Sequence, residues 1–252
     1  MTTSSPPGAG QPGTSFPKRF YRTAAVVPEP GGFGLALDGK PARTPSRSPM
    51  VLPTAALAEA LADEWAAVET VIDPRDMPFT RLSNSVIDGV SRPAAAVRAE
   101  ILRYAGSDLL AYRAPGPAEL VAIQRRTWDP ILDWARDTFA AAFNTGEGVM
   151  FVAQPATLEA GVAAALDAAV GTGPRAPFRL GALHVITALT GSTLLALAIA
   201  YDRLRADEAW SAAHVDEDFQ IAQWGADEEA EERRAHRWRD MATAAEMLAR
   251  LR

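Results

Sequence analysis

Cysteine is absent from the 252 residues, and histidine occurs only three times. The first absence removes disulfides, thiolate zinc sites, iron–sulfur ligation and thiol nucleophiles together, and it fits a reducing compartment. The histidines, His184, His214 and His236, fall on three different predicted helices. None makes the i, i+4 pair of a helical metalloprotease site, so they read as ordinary core or surface residues. Positive charge is not in excess either. The 25 Lys and Arg against 31 Asp and Glu leave a net charge of −6, which argues against nucleic acid, whose binders present basic patches. No uninterrupted apolar run reaches membrane-spanning length. The nearest, Ala182 to Tyr201, is interrupted by His184, Thr187, Thr190, Gly191, Ser192 and Thr193. A polar midpoint suits a span poorly, so two short buried helices are expected, broken at Thr190-Gly191-Ser192, with no membrane insertion.

The glycines do not form a phosphate cradle. Gly32-Phe33-Gly34 begins a hairpin and lacks the third glycine and helix start of a dinucleotide fingerprint. Gly171-Thr172-Gly173 is followed by proline, with no lysine. Ser192 lies outside any glycine-serine-glycine elbow and is expected to cap the next helix. The carboxylates lack the alternating-oxygen loop of a calcium site. No cofactor and no metal are expected.

What is present is an α+β pattern. Residues 1–17 (MTTSSPPGAGQPGTSFP) have no charged side chain and no apolar core. They read as a disordered tail, neither a secretory signal nor an arginine-rich transit peptide. Residues 18–92 read as an N-terminal α+β domain. A strand is expected from Phe20 to Val27 and another from Phe33 to Leu37. Asp38-Gly39 is a strong hairpin dipeptide, and Pro41–Thr44 and Met50–Leu52 offer two shorter strands. Thr54 then caps a helix with Leu57, Leu61, Trp65 and Val68 on its apolar face, placed to cover this small antiparallel sheet. A helix over Phe79–Val90 follows, and Ser91 and Pro93 mark the next helix start.

Residues 93–252 read as a larger, all-α helical domain. Helices are expected over 94–104, 117–128 and 130–143, with Pro130 kinking or parting the last two. A β-like run, Val149–Val152, comes next. Further helices follow over 157–170, 178–189, 192–204, 207–224 and 226–251. Trp65, Trp128, Trp134 and Trp238 read as core or rim.

The stretch Asp207–Glu232 stands out. On one continuous helix, Trp210, His214, Glu217, Ile221 and Trp224 share a stripe, while Ala212, Val215, Phe219 and Ala222 form a second. A helix apolar on two sides is sandwiched, or keeps one side for a partner. Two readings of Glu217 stand side by side: a carboxylate paired inside with an arginine or His214, or one offered from an apolar groove to another protein. Glu208, in the first turn, suits the helix dipole. Asp227–Glu232 reads as a solvated helix start, with Arg233, Arg234 and Arg237 able to pair one turn on.

An ordered series of short motifs resembles the F1-ATPase assembly chaperones, the factors that act on the α subunit of the catalytic head in mitochondria and α-proteobacteria. The series begins with Arg19-Phe20-Tyr21, Leu37-Asp38-Gly39-Lys40-Pro41, Thr44-Pro45, Leu52-Pro53 and Glu64-Trp65. It continues with Met77-Pro78, Ile87-Asp88, Ser107-Asp108-Leu109-Leu110, Tyr112-Arg113, Gln124 and Trp128-Asp129-Pro130. It ends with Thr190-Gly191-Ser192, Glu217-Asp218-Phe219-Gln220 and Trp224-Gly225, so the match runs from about Arg19 to Met247.

The resemblance implies a non-enzymatic, ATP-independent chaperone with an N-terminal α+β unit and a helical domain. Such a protein would hold the isolated α subunit by its β-facing surface until β displaces it. A glutamate in the C-terminal helical region matters in the family, which points to Glu217 first and Glu208 second. Around them, Gln220, Trp210 and Trp224 complete the expected partner-binding set. A bacterial, cytoplasmic, monomeric member is expected, with mitochondrial relatives. Two other classes remain open: a small acid–base enzyme using Glu217 and His214, and a helical scaffold that docks through 182–201.

Overall fold

The computed structural model describes residues 16–89 and 94–252. Strand β1 (Ala24–Glu29) pairs antiparallel with β2 (Gly32–Leu37), Ala24 opposite Leu37 and Glu29 opposite Gly32. The other side of β2 takes β3 (Lys40–Pro41) near its end and β4 (Val51–Leu52) near its start, both antiparallel. Asp38 and Gly39 both have positive φ, 48° and 76°, as a two-residue hairpin turn of primed type requires. The first strand starts later than Phe20 for a local reason. The amides of Arg22 and Thr23 donate to the Asp38 carboxylate, at 3.0 and 2.9 Å, and so are taken out of the ladder.

Helix α1 (Ala55–Ala67) starts as expected, with the Thr54 hydroxyl accepting from the Leu57 amide. Leu57 and Leu61 are fully buried in the core, and the helix packs over β1 and β2. Glu64 then caps the neighbouring helix, α2 (Pro78–Asp88). Its carboxylate accepts from the amides of Phe79 and Thr80, both at 2.8 Å. Burial pushes the Glu64 carboxyl upward against the pull of those hydrogen bonds. The expected helix start at Ser91 and Pro93, the 92/93 boundary and most of the 1–17 tail lie outside the described residues. Of that tail, the Phe16 ring lies under the Arg75 guanidinium, and the Pro17 carbonyl accepts from the Ile72 amide at 2.9 Å.

The larger part is helical. It runs through α3 (Ala94–Ala105), α4 (Ala118–Phe139), α5 (Ala156–Val170), α6 (Ala176–Thr190) and α7 (Thr193–Ala200). Then come α8 (Ala206–Ala213), α9 (Val215–Trp224) and α10 (Glu228–Arg250). Gly191, with φ of +67°, ends α6, and Ser192 caps α7 by accepting from the Leu195 amide. Leu183, Ile186, Leu194, Leu195 and Leu197 are fully buried, so the 182–201 segment supplies core rather than a docking face. The long α10 lies along α6 and also meets α1 and α2. There the Arg250 guanidinium donates to the Ala56 carbonyl at 2.9 Å, and the Thr54 hydroxyl donates to the Arg250 carbonyl at 3.0 Å. These contacts fasten the sheet layer to the helices.

Three local expectations are corrected. Of the kink or parting expected at Pro130, the parting does not occur: Ala118–Phe139 is one helix with the proline inside it. Its buried stripe of Gln124, Trp128, Ile131 and Ala135 continues across the proline, and that packing holds the helix where the missing N–H would favour a break. Residues 149–152 form no strand. The short strand lies earlier, where β6 (Gly146–Glu147) pairs parallel with β5 (Tyr112–Arg113). Val149, Met150 and Phe151 are instead 97%, 77% and 73% exposed. Finally, the 207–224 helix divides at His214 into α8 and α9. The His214 backbone amide reaches only to the Ser211 carbonyl, while its ring Nδ1 donates to the Trp210 carbonyl at 2.7 Å. A side chain thus takes the acceptor that a continuing helix would give to the backbone.

Candidate partner-binding surface

The division at His214 shapes the surface. The imidazole stacks on Trp210, ring centroids 3.9 Å apart, and Trp210 in turn lies 5.6 Å from the Trp238 ring on α10. His214 and Trp210 are both buried. Burial depresses the His214 pKa below the ordinary imidazole value. The Trp210 carbonyl and Glu217 oppose that shift, while Arg234 and Arg237 on α10 add to it. The ring is therefore a neutral wedge at the helix break.

From this wedge α9 projects with two unlike sides. On one side Glu217, Gln220, Ile221 and Trp224 face the start of α10 across a shallow groove of about 280 Å³. Trp224 is 88% exposed. The Glu217 side chain is 43% exposed, and one carboxylate oxygen stands 3.8 Å from the His214 Nε2. On the other side Val215, Phe219 and Ala222 face α4 and α8 across a larger trough of about 650 Å³. The second expected stripe, Ala212, Val215, Phe219 and Ala222, lines the trough whole, whereas only Glu217, Ile221 and Trp224 of the first reach the groove, Trp210 and His214 being buried.

Glu217, Gln220 and Trp224 come together on the first groove. Glu208 lies apart from them, on the trough. Its carboxylate accepts from the Arg205 amide at 2.8 Å, closing the first turn of α8. The neighbouring Asp207 carboxyl is held below its usual range by the Arg205 guanidinium. Trp210, expected on the same face as Glu217, packs inward and backs His214 instead. Asp227 caps α10 by accepting from the Ala230 amide at 3.0 Å, and Glu229 pairs with Arg233. Arg234 turns the other way and pairs with Asp218 at 2.5 Å, tying α9 to α10.

Residues on α4 hold this surface in place; Trp128 lies in the core, as expected, but neither it nor Gln124 was expected to grip α8 and α9. The Trp128 indole donates to the Ala212 carbonyl at 2.8 Å, at the end of α8. The buried Gln124 amide donates to Asp216 at 2.7 Å and accepts from the Ala114 amide at 2.9 Å. Gln124 and Trp128 stand i, i+4, which places them on one face of α4 but does not encode the distant partners that the face grips. Arg113 completes it, with its guanidinium 5.2 Å over the Trp128 ring and 2.8 Å from Asp129.

The chemistry is that of contact. The three histidines are not brought together: His184 lies beside Glu100 and His236 beside Arg239. Among the described residues no group of three His, Asp or Glu is placed to hold a metal. No helix of the described residues is long and apolar enough to cross a membrane.

Comparison with known proteins gives consistent matches. A family model described as "ATP12 chaperone protein" matches residues 18–136, ending within α4. The solved structure of the Atu1473 protein of Agrobacterium tumefaciens aligns at a TM-score of 0.88 with 48% identity, over 94% of this chain and 87% of that one. Atp12 from Paracoccus denitrificans aligns at 0.84 with 40% identity, over 93% and 98%. A point mutant of the P. denitrificans protein gives 0.83 and 39% over the same shares.

Proposed function

The chain belongs to the ATP12 chaperone family, and from that membership we propose that it is an ATP-independent assembly chaperone for the F1 α subunit of ATP synthase. It binds the unassembled subunit, shields the surface that later meets β, and is displaced when β arrives. It works as a monomer in the bacterial cytoplasm, needs no cofactor, and catalyses no reaction. The observation that carries this reading is the pairing of an exposed Trp224 with a half-exposed Glu217 on one side of α9. An exposed indole beside a carboxylate has the chemistry of a contact surface, since aromatic residues are enriched at partner interfaces.

The physical logic follows from the client. An orphan subunit exposes an apolar intersubunit surface, and such patches aggregate. A chaperone must match that surface with an affinity low enough for exchange. In the proposed complex Trp224 and Ile221 supply apolar contact, and Gln220 and Glu217 supply orientation. A carboxylate at such a place contributes specificity and association rate more than net affinity. Glu208 contributes from the far side of the helix pair. Trp210 acts from beneath, through His214. The acid–base alternative has less support, because the imidazole is buried with Nδ1 committed to a carbonyl.

Co-expression tests the proposal. With this protein, the F1 α subunit is expected to stay soluble and to co-purify with it, and added β subunit is expected to release it. If α is equally insoluble with and without this chain, the proposal fails.

A further inference from the structure

The larger trough, on the side of α9 away from Glu217, has its own chemistry. Its floor is apolar, built from Ile123 and Ile131 of α4 and Val215 and Phe219 of α9. Its rim is acidic: Glu119, Asp207, Glu208 and Asp218 line it, with no lysine or arginine among the lining residues. Two cations of the chain reach these carboxylates from outside. Arg205 meets Asp207 at 2.8 Å and Glu208 at 3.3 Å, and Arg234 meets Asp218 at 2.5 Å. Among the described residues Glu119 makes no salt bridge, so the rim keeps a negative balance of four carboxylates to two guanidinium groups.

The walls decide the shape of what can enter. All three are helices, and no strand edge lies among the lining residues. An extended peptide would therefore find no backbone to pair with. From Glu119 to Ile131 the trough follows α4 for about 18 Å, roughly the length of three helical turns. Side-chain ridges on two packed helices leave a groove that a third helix can enter. The floor asks for an apolar stripe at i, i+3, i+4 and i+7, and the rim asks for lysine or arginine at the stripe's edges.

We propose that this trough receives a basic amphipathic helix of the bound F1 subunit, about three turns long. The inference rests on the chaperone reading and names a segment class that this reading leaves open. Ile123 and Phe219 would pack against the apolar stripe. Glu119 and Glu208 would face its cations.

The test uses the full chain co-expressed with F1 α, and three variants. Ala222→Trp fills the trough from an exposed position and is expected to cut captured α at least about tenfold, the effect of losing a buried anchor. Glu119→Lys is expected to reduce capture several-fold at low salt, with the deficit shrinking at high salt because rim charges are screened. A photo-cross-linking amino acid in place of the exposed Gln223 is expected to label a helical segment of α carrying two or more Lys or Arg beside apolar residues. Capture by the wild type that is unchanged by both substitutions would overturn the trough proposal alone. So would a label on a strand or on an acidic segment. If Ala222→Trp proves unfolded, the cross-link position decides. If the wild type captures no α at all, the chaperone reading falls first and this inference falls with it.

Discussion

The indole nitrogen of Trp128 donates to the carbonyl of Ala212 at 2.8 Å, so a fully buried residue of α4 fastens the last turn of α8. One turn earlier on α4, Gln124 donates to Asp216 in the first turn of α9. The two contacts grip the chain on either side of the break at His214. The angle between α8 and α9, and with it the separation of the two grooves, is set from α4.

Trp128→Phe keeps a ring in the core but removes the indole donor together with part of the buried ring volume. The Ala212 carbonyl then loses a partner in a place water does not reach, which costs about 1–3 kcal/mol. Urea unfolding is expected to show a lower midpoint at unchanged slope. An unchanged midpoint would mean that another donor takes over the carbonyl.

Glu217→Ala separates the two readings of that residue. Among the described residues its ion-pair partner is the imidazole at 3.8 Å, which burial keeps neutral, so little attraction is lost. Stability is expected to stay within about 0.5 kcal/mol of wild type, as for ordinary surface substitutions. Capture of the α subunit is expected to fall. A strongly destabilised variant would instead make Glu217 part of the internal packing.

Arg234→Ala removes the tie between α10 and Asp218 on α9. The pair is partly exposed, with the Asp218 side chain 46% open to solvent, and exposed pairs contribute little to global stability. The expected signature is local. Amide exchange within Val215–Trp224 speeds up while the global unfolding midpoint holds. Equal loss of protection in α4 and α9 would show that the pair supports the whole domain.

Much of this architecture was legible in the residues. Thr54 and Ser192 announced their caps, Asp38-Gly39 its turn, and Thr190-Gly191-Ser192 its break, because each acts on backbone groups within a few positions. The motif series also pointed to the family that the comparisons show. The division at His214 was not legible. Helical periodicity runs through it, and only the approach of Nδ1 to the Trp210 carbonyl takes the acceptor away. Pro130 misled in the other direction, since its local preference for a break yields to the packing of Trp128 and Ile131. The Gln124–Asp216 contact joins residues 92 positions apart, and no local pattern encodes such a partner.

Gly161 offers a prediction with an unusual sign. Glycine inside a helix ordinarily costs about 1 kcal/mol against alanine, so Gly161→Ala in α5 should stabilise. A Cβ there, however, would lie 2.4 Å from the Phe139 carbonyl oxygen at the end of α4. That atom is backbone and cannot swing aside. Gly161→Ala is expected to lower the thermal midpoint, and a rise would show that α4 and α5 can slide apart at no cost.

Asp108 gives a pH dependence whose direction can be worked out. Its carboxylate is fully buried and accepts from the amides of Leu110 and Leu194, both at 3.1 Å. It thereby caps both the turn at Leu109–Ala111 and the start of α7. Burial outweighs the hydrogen bonding from the Ser192 side chain and from the Leu194, Leu110 and Thr193 amides, and raises the pKa from 3.8 to about 6. Between those two values the folded chain holds the proton more tightly than the unfolded chain does. The Asp108 contribution to stability is therefore highest below the lower value and declines as pH rises toward the upper one. It declines by about 3 kcal/mol in total, at 1.36 kcal/mol per pH unit. Asp108→Asn abolishes this titration. The amide also turns an N–H toward the backbone donors that its carboxylate oxygens accepted from, so the variant starts from a lower stability. The stability difference between wild type and variant, measured by urea unfolding across that window, is expected to shrink in wild type's disfavour as pH rises. Glu64, raised in the same direction by burial, titrates in both proteins and cancels. A difference that stays constant with pH would show that Asp108 is already ionised at the bottom of the window, its hydrogen-bond donors outweighing burial.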